Sequence, residues 1–179
     1  FADVDENDSG GIDQQGGMLM EDRSKKPRIL AISSGGGHWI QLLRIRSAFD
    51  GCDVTYATVD DGYAEDVQEC SFVRIPNGNL WSLRSLVISA VGIACLLVKL
   101  RPHVVVTTGA APGYFAVVFG KIIGARTVWL DSMANARNLS ASGRKAMRFS
   151  DLCLTQWRHL TGDDGPHFRG AVFRKGAMT

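Results

Sequence analysis

A five-residue run, Arg28-Ile29-Leu30-Ala31-Ile32, passes directly into Ser33-Ser34-Gly35-Gly36-Gly37 and then into His38-Trp39 and an amphipathic segment. This pattern of strand, small-residue turn and helix constrains the fold more than any other stretch. A helix that opens straight after a strand turns its unpaired N–H groups toward the turn, and its dipole adds positive potential there. Glycines let the backbone approach an oxyanion without a Cβ in the way, and Ser33 and Ser34 offer hydroxyl donors and an N-cap. Ser33, Ser34, Gly35, Gly36 and Gly37 are therefore read as a phosphate or diphosphate site. An ordinary tight turn is the plain alternative, but three successive glycines carry an entropic cost it would not need.

Downstream the pattern repeats. Apolar runs at Val54–Thr58, Phe72–Ile75, His103–Thr107, Arg126–Leu130 and Leu152–Thr155 read as strands two to six. Helical patterns lie over Gly37–Phe49 (Ile40, Leu43 and Ala48 among its apolar positions), Asp60–Glu69, Leu80–Leu100, Gly113–Ile123 and Ser142–Phe149. Continuous apolar strands alternating with helices predict an α/β fold, a Rossmann-like doubly wound parallel sheet. The expected layout is a disordered acidic tail over residues 1–27 and one Rossmann-like domain over residues 28–179.

The tail carries seven acids against three bases, and the remainder seventeen bases against eleven acids. A mildly basic body suits a phosphorylated ligand or an anionic membrane surface. The charge is too diffuse for nucleic acid, which requires a basic stripe with stacking aromatics. Asp5, Asn7, Ser9, Gly10, Ile12 and Asp13 follow part of a calcium-loop pattern, but Gly16 stands where the bidentate Glu belongs. Cys52, Cys70, Cys95 and Cys153 show no C-x-x-C pairing and read as buried thiols, and no metal site is expected. Asn138-Leu139-Ser140 fits a glycosylation sequon, with nothing else pointing to secretion. The chain opens at Phe1, as a fragment or processed form does, and no signal or transit peptide is read in the tail.

Within Leu80–Leu100, the fourteen residues Ser85–Val98 are uncharged. At about 1.5 Å each they cover about 21 Å, short of the roughly 30 Å hydrocarbon core. The segment reads as a core helix or as one whose outer side meets a bilayer or a partner subunit.

Ligands of parallel α/β sheets sit outside the carboxyl ends of the strands. There the sequence places Ser33–His38, Asp60-Asp61, Thr107–Gly113 and Asp131–Asn138. Thr108, Gly109 and Gly113 belong to a second small-residue turn suited to a sugar or phosphate. His38 and Asp131 are the candidate catalytic groups: His38 as proton acceptor or phosphate partner, Asp131 as general base or sugar-hydroxyl acceptor. A turn or N-cap role for Asp131 stays open.

Three spaced motifs resemble one family. They are Ser33–His38 with Gln41-Leu42-Leu43, Arg101–Gly109 with Pro112-Gly113, and Asp151-Leu152 with Thr155-Gln156-Trp157. Together they are similar to the acceptor-side subunit of the two-part UDP-N-acetylglucosaminyltransferase that extends dolichol-diphosphate-linked GlcNAc, and to its relatives in bacterial capsule and exopolysaccharide assembly. More distantly, the glycine turn resembles the amino-terminal half of the peptidoglycan lipid-intermediate GlcNAc transferase. The resemblance covers about residues 28–173. It implies the N-terminal half of a GT-B glycosyltransferase that binds a polyprenyl-diphosphate-linked sugar without a cofactor. It also implies a catalytic UDP-sugar-binding partner chain, because donor and acceptor must share one cleft, and hence inactivity alone. The location implied is the cytoplasmic face of a membrane (ER or bacterial inner membrane), with Leu80–Leu100 as the membrane contact. Where members of the family often carry Glu-Ser-x-Ala-Arg, this chain has Asp131-Ser132-Met133-Ala134-Asn135. The shorter acid changes reach, and the arginine is absent.

Two other readings compete. Asp60, 23 residues past Gly37, stands where a ribose-binding acid of a dinucleotide-binding oxidoreductase belongs, although Ile40 falls where the third glycine is required. The other is a non-catalytic membrane-recruitment module.

Overall fold

The computed structural model describes residues 26–78 and 82–173. The tail over residues 1–25, with its calcium-loop-like stretch, and Leu80-Trp81 at the start of the predicted apolar helix lie outside the described residues. Seven parallel strands form one sheet in the order β3-β2-β1-β4-β5-β6-β7. They are β1 Arg28–Ile32, β2 Asp53–Thr58, β3 Ser71–Arg74, β4 Val104–Thr107, β5 Arg126–Leu130, β6 Leu152–Thr155 and β7 His167–Phe168. The helices are α1 Gly37–Arg44, α2 Leu83–Leu100, α3 Ala110–Ile122 and α4 Ala141–Ala146. This is the expected Rossmann-like, doubly wound α/β architecture.

The sheet needs covering on both faces because its strands alternate apolar side chains to each. On one face Ile29, Ala31, Val54, Tyr56 and Val106 pack with Trp39, Leu42 and Phe49. On the other, Leu30, Ile32, Ala57 and Val105 pack with Ile93, Leu96 and Leu97 of α2 and Ala116 of α3. Strand order reverses between β1 and β4, where Ile32 stands beside Thr107. The two small-residue turns therefore flank the switch point at which such sheets bind ligands.

Several predicted elements change. The helix expected over Gly37–Phe49 ends at Arg44, and a 3-10 turn over Arg46–Phe49 follows. There the Ile45 and Ala48 amides bond three residues back, which tightens the chain and buries Phe49. Ile40 is exposed, whereas Trp39 and Gln41 are buried. The acidic segment is a 3-10 helix over Asp61–Val67, held inward by the Trp39 Nε1–H bond to Asp66 Oδ2 at 2.8 Å. α3 begins at Ala110, because Pro112 within the first turn lacks only a donor that has no intrahelical partner there. β7 is two residues long, too short to leave a periodic pattern. Of the four cysteines, Cys153 is buried but Cys70 and Cys95 are exposed, which corrects the expectation of buried thiols. All four are free.

α2 is capped by the Ser82 hydroxyl and presents Ser89, Ile93, Leu96 and Leu97 to the sheet. Its opposite side leaves Leu83, Val87, Ile88, Val91 and Val98 exposed, and Ile122 at the end of α3 is exposed as well. By length and composition alone α2 is apolar enough to cross a membrane, with a mean hydropathy of 2.0. Its inner side, however, is committed to the sheet.

Candidate functional site

The first turn is built around Gly36, whose φ of 66° and ψ of −135° suit glycine rather than a residue with a Cβ. Gly36, not a serine, is the N-cap of α1, and no side chain caps the helix. The first intrahelical bond runs from Ile40 N–H to the Gly36 carbonyl. The N–H groups of Gly37, His38 and Trp39 therefore precede the intrahelical ladder. Gly36 and Gly37 are exposed, and a Cβ at either would stand in open space. This end of the helix opens to solvent.

The serines behave differently. Ser33 is fully buried beneath the turn, with an unpartnered hydroxyl, while Ser34 Oγ lies 3.2 Å from His38 Nδ1. Gly35 lets the Tyr63 ring come close: a Cβ there would lie 3.1 Å from that ring.

The second turn braces the first. Thr108 Oγ1 donates to the His38 carbonyl at 2.7 Å, and Thr107 Oγ1 accepts from Gly109 N–H at 3.2 Å. Gly109 has φ 126°, and a Cβ on it would lie 3.1 Å from His38 Nε2. The imidazole thus rests on a glycine. Ala110 beside it holds φ 63°, a strained value for a residue with a side chain. Gly113 is buried in α3, and a Cβ there would overlap Thr107 Oγ1 at 2.1 Å. Thr108 and Gly113 are thus placed to shape the site from beneath, by a bond to backbone and by close helix–strand packing.

Asp131 follows β5 and is only 2% exposed. Its carboxylate accepts from Trp129 Nε1–H (3.1 Å), Ser140 N–H (2.9 Å) and Ser140 Oγ–H (2.5 Å). This carboxylate anchors the 131–140 loop and presents no free face. It still acts on His38 through space. Burial lowers the imidazole pKa below its ordinary 6.5, and the Asp131 charge pulls it partly back. The neutral ring's contribution to stability is complete above pH 6.5 and is lost as pH falls through the lower folded value. We expect the His38 Cε1–H resonance to titrate with a midpoint below 6.5. His38→Gln should flatten the loss of melting temperature between about pH 7 and 5.

The sequence reading assigned no role to the residues that hold the loop over the site. Gln41 Oε1 accepts from Met133 N–H (2.9 Å) and from Gln156 Nε2 (2.9 Å), and the latter also donates to the Asp131 carbonyl. Trp157 Nε1–H donates to the Met133 carbonyl. Their cues were a glutamine on an otherwise apolar helix face and the place of Gln41, Gln156 and Trp157 in the motifs that carry the resemblance. Asp60, the acid of the dinucleotide reading, caps the 3-10 segment by accepting from Gly62 N–H. Among the described residues no cluster of metal-ligating side chains occurs.

Comparison with known proteins gives a consistent picture. Two curated relatives are 25% identical to this chain, and both are called UDP-N-acetylglucosamine transferase subunit ALG14. The one from Yarrowia lipolytica aligns over 80% of each chain, and the one from Eremothecium gossypii over 81% of this chain and 79% of its own. Among solved structures, MurG of Acinetobacter baumannii superposes with a TM-score of 0.64 at 10% identity. It covers 81% of this chain, and this chain spans 45% of its length, so the likeness is one of fold with less than half of that molecule. The model of the oligosaccharide biosynthesis protein Alg14-like family matches residues 63–171. The chain belongs to the Alg14-like family of oligosaccharide biosynthesis proteins.

Proposed function

We propose that this chain is the acceptor-binding subunit of a glycosyltransferase. It holds a polyprenyl-diphosphate-linked sugar at Gly35–His38 and recruits a catalytic partner chain that carries the UDP-sugar, transferring N-acetylglucosamine or a related hexose. The observation that carries the reading is the open N-terminus of α1, with N–H groups ahead of the intrahelical ladder and no side chain capping it. The relatives named as UDP-N-acetylglucosamine transferase subunits supply the reaction class.

In this reading the acceptor's diphosphate takes the α1 amides and its sugar hydroxyl faces His38. With Nδ1–H donated to Ser34 Oγ, His38 Nε2 carries the lone pair. As the hydroxyl oxygen attacks the anomeric carbon, its proton passes to Nε2, the bond from that carbon to the diphosphate breaks, and UDP leaves with the electron pair. Asp131 contributes by its charge, favouring the imidazolium that forms, and not by contact. One GT-B half cannot close a donor–acceptor cleft, so transfer requires the partner. The exposed apolar side of α2 supplies a surface for the bilayer that carries the lipid-linked acceptor.

The test is binding of a short-chain polyprenyl-diphosphate-linked N-acetylglucosamine. Gly36→Val should weaken it at least tenfold, because a branched side chain disfavours φ 66° and the turn must rearrange. Gly124→Ala is the control: it has the same kind of positive φ (82°) and open space, in the turn after α3. Equal affinity of Gly36→Val and the wild type would overturn the reading.

A further inference from the structure

Tyr63 lies in the 3-10 segment after β2, a stretch whose sequence marks it only as acidic. Its ring is packed against Trp39, with centroids 5.3 Å apart, and against the bare α-carbon of Gly35. The segment is tethered around it. Asp60 caps its first turn, Trp39 Nε1–H reaches Asp66, and the exposed Arg74–Asp61 pair joins it to the end of β3. The result is a tyrosine hydroxyl held 2.9 Å from the Gly36 nitrogen, accepting that N–H.

A phenol oxygen has two acceptor positions and one proton of its own. The Gly36 N–H uses one acceptor position. Among the described residues nothing accepts the hydroxyl proton, and Tyr63 is only half-buried. A hydroxyl that already accepts a hydrogen bond is polarised and becomes a stronger donor. Gly36 is the N-cap of α1, so this proton is offered at the mouth of the open helix terminus.

We propose that Tyr63 is an acceptor-contacting residue, whose hydroxyl takes the Gly36 N–H and donates its own proton to an anionic oxygen of the ligand in the glycine turn. The inference rests on the diphosphate reading of that turn. It adds a side-chain donor, supplied from the β2–β3 connection, to a site otherwise made of backbone amides. It also gives Gly35 a reason to be glycine: a methyl group there would push the ring, and with it the hydroxyl, out of line.

Tyr63→Phe isolates the claim, since the ring contacts with Trp39 and Gly35 persist and only the hydroxyl is lost. The probes are a short-chain polyprenyl-diphosphate-linked N-acetylglucosamine and inorganic diphosphate as its competitor. Tyr63→Phe should bind both about tenfold more weakly, as expected for a hydrogen bond to a charged oxygen. Its melting temperature should stay within about 1 °C of the wild type. In the complex with the partner chain, KM for the acceptor should rise while kcat holds. In the wild type, the Gly36 amide resonance should keep its hydrogen-bonded shift when inorganic diphosphate is added. Unchanged or tighter binding by Tyr63→Phe overturns the proposal, tighter binding marking the hydroxyl as a plug that the ligand displaces. Release of the Gly36 amide from Tyr63 on ligand addition also overturns it, and needs no variant. If the wild type binds neither probe, the glycine-turn reading itself fails.

Discussion

Gly109→Ala is expected to abolish most transfer by the assembled enzyme while leaving the chain folded. The added methyl group would sit 3.1 Å from both Cδ2 and Nε2 of His38, with the Trp129 indole at 3.7 Å limiting its retreat. The φ of 126° adds strain of roughly 1–3 kcal/mol. The imidazole must move, and in the role proposed for His38 a displaced proton acceptor costs about 10²–10⁴-fold in rate. The decisive measurement is kcat for Gly109→Ala, His38→Ala and the double variant. If the glycine acts through the imidazole, the double variant is no slower than His38→Ala, because groups acting as a unit are not additive. Independent, multiplying losses would separate Gly109 from His38.

Asp131→Ala carries the largest expected effect on stability. It leaves Trp129 Nε1–H and the backbone N–H and hydroxyl of Ser140 without their acceptor in a buried place. Orphaned buried donors and a lost charge-assisted network cost about 3–4 kcal/mol. For a chain of this size that lowers the melting temperature by about 6–16 °C. Asp131→Asn keeps one acceptor oxygen but turns an amide NH₂ toward a donor, and should lose about half as much. Thermal denaturation followed by circular dichroism reads both. Asp131→Asn has a second readout that a purely structural role does not move: without the carboxylate charge, His38 should titrate lower still. An unshifted His38 midpoint would confine Asp131 to the loop. The neighbouring Gly143 belongs to the same assembly, since a Cβ there would lie 2.7 Å from Asp131 Oδ1.

The site was partly legible in the residue order. Gly36 and Gly37 lie open at the helix terminus, as three glycines between a strand and a histidine imply, and His38 stands beside them. Ser33, which read as a donor to a ligand, and Thr108, which read as part of a turn suited to one, turn inward because β1 and β4 carry their side chains under the turns before the backbone opens. Gly113 read as part of a ligand loop, whereas α3 begins three residues earlier and uses it to approach Thr107. Tyr63 left no periodic or motif mark, and the motifs that contain Gln41 and Gln156 did not show what these residues hold, since each works through a partner at least 25 positions away, such as Gly36, Met133 or Asp131.

Residue order alone determined the parallel α/β class, the positions of β1 to β6 to within a residue or two, and a glycine turn at the end of the first strand. Those features follow from local periodicity and from backbone conformations that only glycine adopts readily. Tertiary structure decided which polar groups face the open end of the glycine turn. The register of β1 against β4 sets the two turns side by side and rests His38 on Gly109. Direction at a strand end depends on what the neighbouring strand and helix leave open, and no local pattern encodes that.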